Sequence, residues 1–210
     1  MRREALGGAA LIAGAILGIV TMALHPTGGD VMRDARGQGA LALAVHALAL
    51  TAVPVTSYGA LVLTRRLAPA GGVAELALSF YAMSAVATLM AATASGLLAP
   101  GLIARLLTLD GDARVVAGEV LHYNSSVNRA FARVLVAASS VAIGLWSAEI
   151  LRTGRMRRGT GIFGCVVAVL TLAVLLSGHL RLDVHGFGAV VLAQAAWLVA
   201  VGVELRKGDE

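Results

Sequence analysis

Five histidines, His25, His46, His122, His179 and His185, are the residues of this chain whose type and placement point most directly to chemistry. Imidazole suits zinc, copper and iron, serves as an axial ligand of haem, and is the side chain that changes charge near neutral pH. Acidic and amide residues accompany the histidines: Asp30, Asp34, Glu119, Asn124, Asn128 and Asp183. Asp183 stands between His179 and His185 in the stretch Ser177 to Gly186, where it can accept a ring N–H and fix a metal-binding tautomer. Farther back, Glu119, His122, Ser126, Arg129 and Arg133 recur at helical spacing and form one polar stripe. A stripe of this kind is costly against lipid, so it is expected to face a protein interior or a watery cavity.

These residues define an expected site. His46, His179 and His185 are its core, and His122 and His25 are further ligands. Asp183, Asp30, Glu119, Asn128, Arg129 and Arg133 are the supporting groups. The metal would be zinc, copper or iron, or the iron of haem b, in a membrane metalloenzyme or redox protein; metal-assisted hydrolysis and redox work are the reaction classes. Two other readings use the same residues. In a proton-coupled transporter His46 titrates while Arg129 and Arg133 attract anions. In a non-catalytic scaffold the histidines are an interfacial polar network, since the amphipathic ring is comfortable there.

What is missing excludes several functions. Lys207 is the single lysine and lies near the C-terminal end, so no lysine within a membrane helix can carry a retinal Schiff base. It is followed by Gly208, which rules out a phosphate-binding P-loop. His-Glu-x-x-His and Gly-x-Ser-x-Gly are absent. Cys165 is alone, so there is no internal disulfide and no CxxC pair.

The elements that must position the histidines follow from composition. The chain is 58% hydrophobic and 14% charged, with a mean hydropathy of +0.83. Soluble domains hold about 45–50% apolar and about 25% charged residues, so this is expected to be an all-α integral membrane protein. Six spans are expected near 5–24, 39–63, 76–100, 129–150, 159–179 and 185–204, in one domain covering 1–210. Pro26 with Gly28 and Gly29, Pro69 with Gly71 and Gly72, Pro100-Gly101 and the Arg-rich turn 152–158 punctuate them. The apolar run after Arg2-Arg3 is long for a signal peptide and no clean cleavage site follows, so it is expected to remain a helix.

Basic residues orient the spans. Arg2, Arg3, Arg65, Arg66, Arg152, Arg155, Arg157, Arg158, Arg206 and Lys207 fall on one side; Arg33, Arg36, Arg105, Arg114 and Arg181 fall on the other. The richer side is expected to be cytoplasmic, with both termini inside. A pI near 10.3 then reflects topology and not nucleic acid. The expected company is a lipid bilayer, with a homo-oligomer or a membrane partner protein. The preference for arginine over lysine suggests a bacterial inner membrane. The histidines all fall at the outer side, where 99–127 is expected to form a short interfacial helix and a helical extension acting as a lid.

Helix packing is also legible. Ala10, Gly14 and Gly18 form one small-residue seam, and Ser84, Thr88, Ala91 and Ser95 another. Pro54 is expected to kink the second helix. Trp146 and Trp197, near the basic ends of their helices, are expected to be interface anchors.

Overall fold

A computed structural model describes residues 2–25, 31–68, 72–180 and 184–208, with the backbone alone at 31–39 and 184. Asp30, Asp183 and Arg181 lie outside the described residues, as do the side chains of Arg33, Asp34 and Arg36. Every regular element among the described residues is helical. These are α1 (Arg2–Leu24), α2 (Val31–Leu67), α3 (Val73–Ala92), a π-helical segment (Thr93–Leu98), α4 (Ala99–Leu106), α5 (Gly111–Thr153), α6 (Arg158–Leu176) and α7 (Val184–Lys207). α3, the π segment and α4 form one uninterrupted helical run. Among the described residues, six helices are long and apolar enough to cross a membrane. The chain is therefore a multi-pass membrane protein by the length and composition of its helices.

The helices differ in length in a way that matters for the site. At 1.5 Å per residue, the 43 residues of α5 extend about 65 Å and the 37 of α2 about 55 Å. A hydrocarbon core is about 30 Å thick, so both helices are far longer than one crossing needs. α5 begins much earlier than the span expected from 129, and the segment 99–127 is almost wholly helical as α4 and the first part of α5. Gly154, in the left-handed conformation, ends α5 and turns the chain toward α6.

Small residues set the close contacts. α1 packs against both α2 and α7. Its Gly7 and Gly14 sit under Val62 and Thr56 of α2, while Gly59 of α2 sits under Leu11. On the other side of α1, Gly8 and Gly202 of α7 meet backbone to backbone. The expected seam is thus half right: Gly14 is tight, but Gly18 has only Val191 near it, at 3.8 Å from where a Cβ would stand.

The core gathers toward the basic ends of the helices and centres on Trp146 and Trp197, which are 1% and 0% exposed. This corrects their reading as interface anchors. The two indoles stack with centroids 6.3 Å apart. Each N–H donates inward, Trp146 to Thr64 Oγ1 at 3.1 Å and Trp197 to the Thr160 carbonyl at 3.2 Å. With a polar partner inside the fold, an indole has no need of the headgroup region. Replacing Trp146 by Phe is expected to cost about 1–3 kcal/mol through the orphaned Thr64 hydroxyl and the lost ring area, read as a fall in thermal midpoint.

Candidate functional site at the π-helical segment

The site is built on an interruption in a helix. Pro100 has no N–H to donate to the carbonyl of Gly96, and its ring crowds that carbonyl in an α-helix. The chain responds one turn earlier by widening into the π segment Thr93–Leu98, where the N–H of Ala99 reaches the carbonyl of Ala94. Gly96 lies in this widened turn and is buried. The backbone of Cα96 lies directly against His46 of α2, so closely that a Cβ there would fall on the His46 Cβ and Cγ.

His46 is 6% exposed and both of its ring nitrogens are engaged. Nδ1 lies 2.6 Å from the carbonyl oxygen of Ala42, one turn back along α2. Nε2 lies 2.8 Å from Ser95 Oγ in the π segment. Ser95 Oγ in turn lies 2.8 Å from the carbonyl oxygen of Ala91. Just past the end of α1, His25 packs edge to face with His46 at a centroid distance of 5.3 Å. From α5, Asn124 Nδ2 donates to the Ala94 carbonyl at 2.9 Å, adding a second donor to the oxygen that accepts the π-type bond. The imidazole is thus held between α2, the π segment and the end of α1, and α5 braces the π segment.

The hydrogen-bond count carries chemical information. The relay Ala42 carbonyl, His46, Ser95, Ala91 carbonyl has acceptors at both ends and three contacts between them. A neutral imidazole and one hydroxyl supply two protons; an imidazolium supplies the third. Only the protonated ring satisfies every contact. Replacing Ser95 by Ala should therefore cost about 1 kcal/mol or more of stability, with a larger loss in acid than in base, as followed by thermal denaturation at both pH values.

Of the expected ligands, the structure brings together His25 and His46. His179 is exposed and its Nδ1 contacts Ser177 Oγ at 3.0 Å; His185 is exposed at the start of α7. Among the described residues no group of three His, Cys, Asp or Glu side chains is placed to hold a metal ion. The His25 and His46 rings are in direct contact, and as seated they leave no room for a porphyrin between them.

The α5 stripe runs contrary to expectation. Glu119, His122, Arg129 and Arg133 are exposed on the surface of the chain and Asn128 is half-buried. Arg129 Nη2 donates to Ser126 Oγ at 2.9 Å, and Ser126 donates to the His122 carbonyl at 3.0 Å. The reason is the length of α5. Arg133 lies about 28 Å along the helix from Arg152, and the rest of the stripe lies farther still. A stripe that starts where one hydrocarbon thickness ends need not hide from lipid, and a long arginine at that boundary can snorkel.

The same measure places four histidines in register. His25 from Arg3, His46 from Arg66, His179 from Arg158 and His185 from Arg206 are each separated by about 20–22 residues, or about 30–33 Å at helical rise. The sequence reading missed Ser95 as the partner of His46, although it placed Ser95 on a small-residue seam. The signal was Pro100: a proline after a helical run with Gly96 at its i−4 position. Compared with known proteins, the chain matches no family model, no curated relative and no solved structure.

Proposed function

We propose that this chain is a small proton-coupled transporter of a bacterial inner membrane, with both termini cytoplasmic, 99–127 as an outer lid, and His46 as its proton-binding group. The three-contact relay between two carbonyls, complete when His46 carries a second proton, is the observation behind the reading. His25, just past the end of α1, is its titratable neighbour. Two further features agree with it. The histidine layer lies one hydrocarbon thickness from the basic helix ends, so protons would arrive from the outer solution. One to two turns inward, a cavity of about 190 Å³ opens between α1, α2, α3, α5 and α7, with Thr21, Thr56, Ser84 and Thr88 among its lining. The Thr21 hydroxyl is buried there with no hydrogen-bond partner among the described residues.

The test is amide hydrogen exchange on the full chain in lipid nanodiscs between about pH 5 and 8. After correction for intrinsic exchange, residues 42–50 and 91–99 should gain protection on acidification, and His46→Gln should remove that gain. Transport is tested in proteoliposomes with an entrapped pH dye: an imposed gradient should drive proton flux at least tenfold faster with the native chain than with His46→Gln. Protection indifferent to pH, or flux equal to that of empty liposomes, overturns the reading.

A bare metal ion is the second reading, and one observation favours it. Donation by His46 Nδ1–H to a backbone carbonyl leaves the Nε2 lone pair for a metal, which would take the place that Ser95 Oγ holds at 2.8 Å. With nitrogen–zinc distances of about 2.0–2.1 Å and tetrahedral angles, two imidazole centroids would sit about 5 Å apart, close to the 5.3 Å found. Asp30, the expected supporting carboxylate, lies outside the described residues. Elemental analysis for zinc, copper and iron decides: a stoichiometric metal lost in His46→Ala supports it, and metal-free protein with an intact acid response sinks it.

A further inference from the structure

At the basic ends of the helices, opposite the histidine layer, a separate cavity of about 470 Å³ lies between the start of α1, the end of α2, the α5–α6 turn and the end of α7. Its volume is in the range of small-molecule sites, about 300–1,000 Å³. Four cations line it, Arg66, Arg155, Arg157 and Lys207, against two carboxylates, Glu4 and Glu204. Both carboxylates are already engaged. Glu4 Oε1 is paired with Arg66 Nη1 at 3.0 Å. Glu204 accepts from the Arg157 backbone N–H at 2.9 Å and from the Thr160 hydroxyl. Arg155 donates across the cavity to the carbonyl oxygen of Arg66 at 3.0 Å, which holds the turn in place without neutralising it. Among the described residues, the guanidinium of Arg157 and the ammonium of Lys207 have no carboxylate partner.

Among the described residues the cavity is thus preformed and carries a cationic excess. Leu205 and Met156, both tied to the hydrophobic core, supply an apolar part of the wall. Positive charge beside an apolar surface at the end of a membrane helix bundle suits a phosphate carried on a small organic body. We infer that this cavity binds a phosphate-bearing anion through Arg155, Arg157 and Lys207, the source being an anionic phospholipid headgroup or a soluble phosphate ester. The inference is independent of the histidine centre.

The experiment uses the full chain in a neutral detergent and follows its thermal midpoint on addition of phosphatidylglycerol, of phosphatidylcholine, or of glycerol 3-phosphate. Phosphatidylglycerol or glycerol 3-phosphate should raise the midpoint and phosphatidylcholine should not. Stabilisation by the lipid alone assigns a headgroup; stabilisation by glycerol 3-phosphate as well assigns a soluble ester. Arg157→Gln with Lys207→Gln, which keeps side-chain bulk, should weaken the apparent affinity at least tenfold. Arg155→Gln serves the same purpose if the double variant does not fold. Arg2→Ala with Arg3→Ala removes two exposed charges outside the cavity and should change the affinity less than twofold. Equal losses in the cavity and surface variants would reduce the effect to a general surface field and overturn the site, as would equal stabilisation by phosphatidylcholine or no stabilisation by either anion.

Discussion

Gly8→Leu is expected to separate α1 from α7 and to lower the thermal midpoint by on the order of 10 °C. A Cβ at Gly8 would fall on the carbonyl oxygen of Gly202, and a Cβ at Gly202 would stand 2.7 Å from the carbonyl oxygen of Gly8. Backbone cannot rotate away as a side chain can, so the helices must move apart. Overpacking costs about 1–3 kcal/mol, occasionally more. This contact belongs at the upper end, because helix association in lipid relies on close approach with little hydrophobic drive. For a chain of this size each kcal/mol shifts the midpoint by about 2–4 °C. Gly202→Leu should match it. Gly18→Ala, with its nearest neighbour atom 3.8 Å away, should be harmless or slightly stabilising. If Gly8→Leu and Gly18→Ala melt alike, the assigned packing of α1 is wrong.

Gly96→Ala is expected to have the second large effect, and on the histidine centre in particular. The new Cβ would meet the Cβ of His46 first and its Cγ next. Relief requires α2 to withdraw from the π segment, which pulls Nε2 off Ser95 Oγ and breaks the relay. The acid-dependent protection of 42–50 and 91–99 should disappear, with a stability loss of about 1–3 kcal/mol. Compensation is diagnostic. His46→Ala keeps the Cβ that Gly96→Ala strikes and should not restore stability. His46→Gly removes it and should restore part, less about 1 kcal/mol for glycine inside a helix. Equal rescue by both would mean that the two residues do not touch as described.

The two substitutions share a lesson about glycine. Both positions are ordinary small residues in the sequence. Which glycine lies under a neighbouring backbone and which faces open space depends on helix rotation, and a repeating Ala-Gly-Leu pattern leaves rotation undetermined. Gly14 and Gly18 are equivalent as a motif, yet Thr56 presses on the first and nothing close presses on the second. Trp146 and Trp197 show the same limit. Their positions near basic helix ends fit an interface anchor, and only the convergence of α2, α5, α6 and α7 supplied Thr64 and the Thr160 carbonyl as internal partners.

The sequence by itself determined the class and the number of long apolar helices. Apolar length is a one-dimensional property, and a 30 Å hydrocarbon layer reads it directly. All six expected spans correspond to long helices, though α5 runs far beyond the expected start. It also singled out His46 and His25. What it did not determine is which polar groups meet. The seating of His46 on Gly96, the Ser95 relay and the Asn124 bond to the Ala94 carbonyl join residues from 30 to 50 positions apart. Those meetings are decided by which faces of α1, α2, the π segment and α5 turn inward. That choice rests on the sum of many small steric fits between helices, and no single residue or spacing carries it.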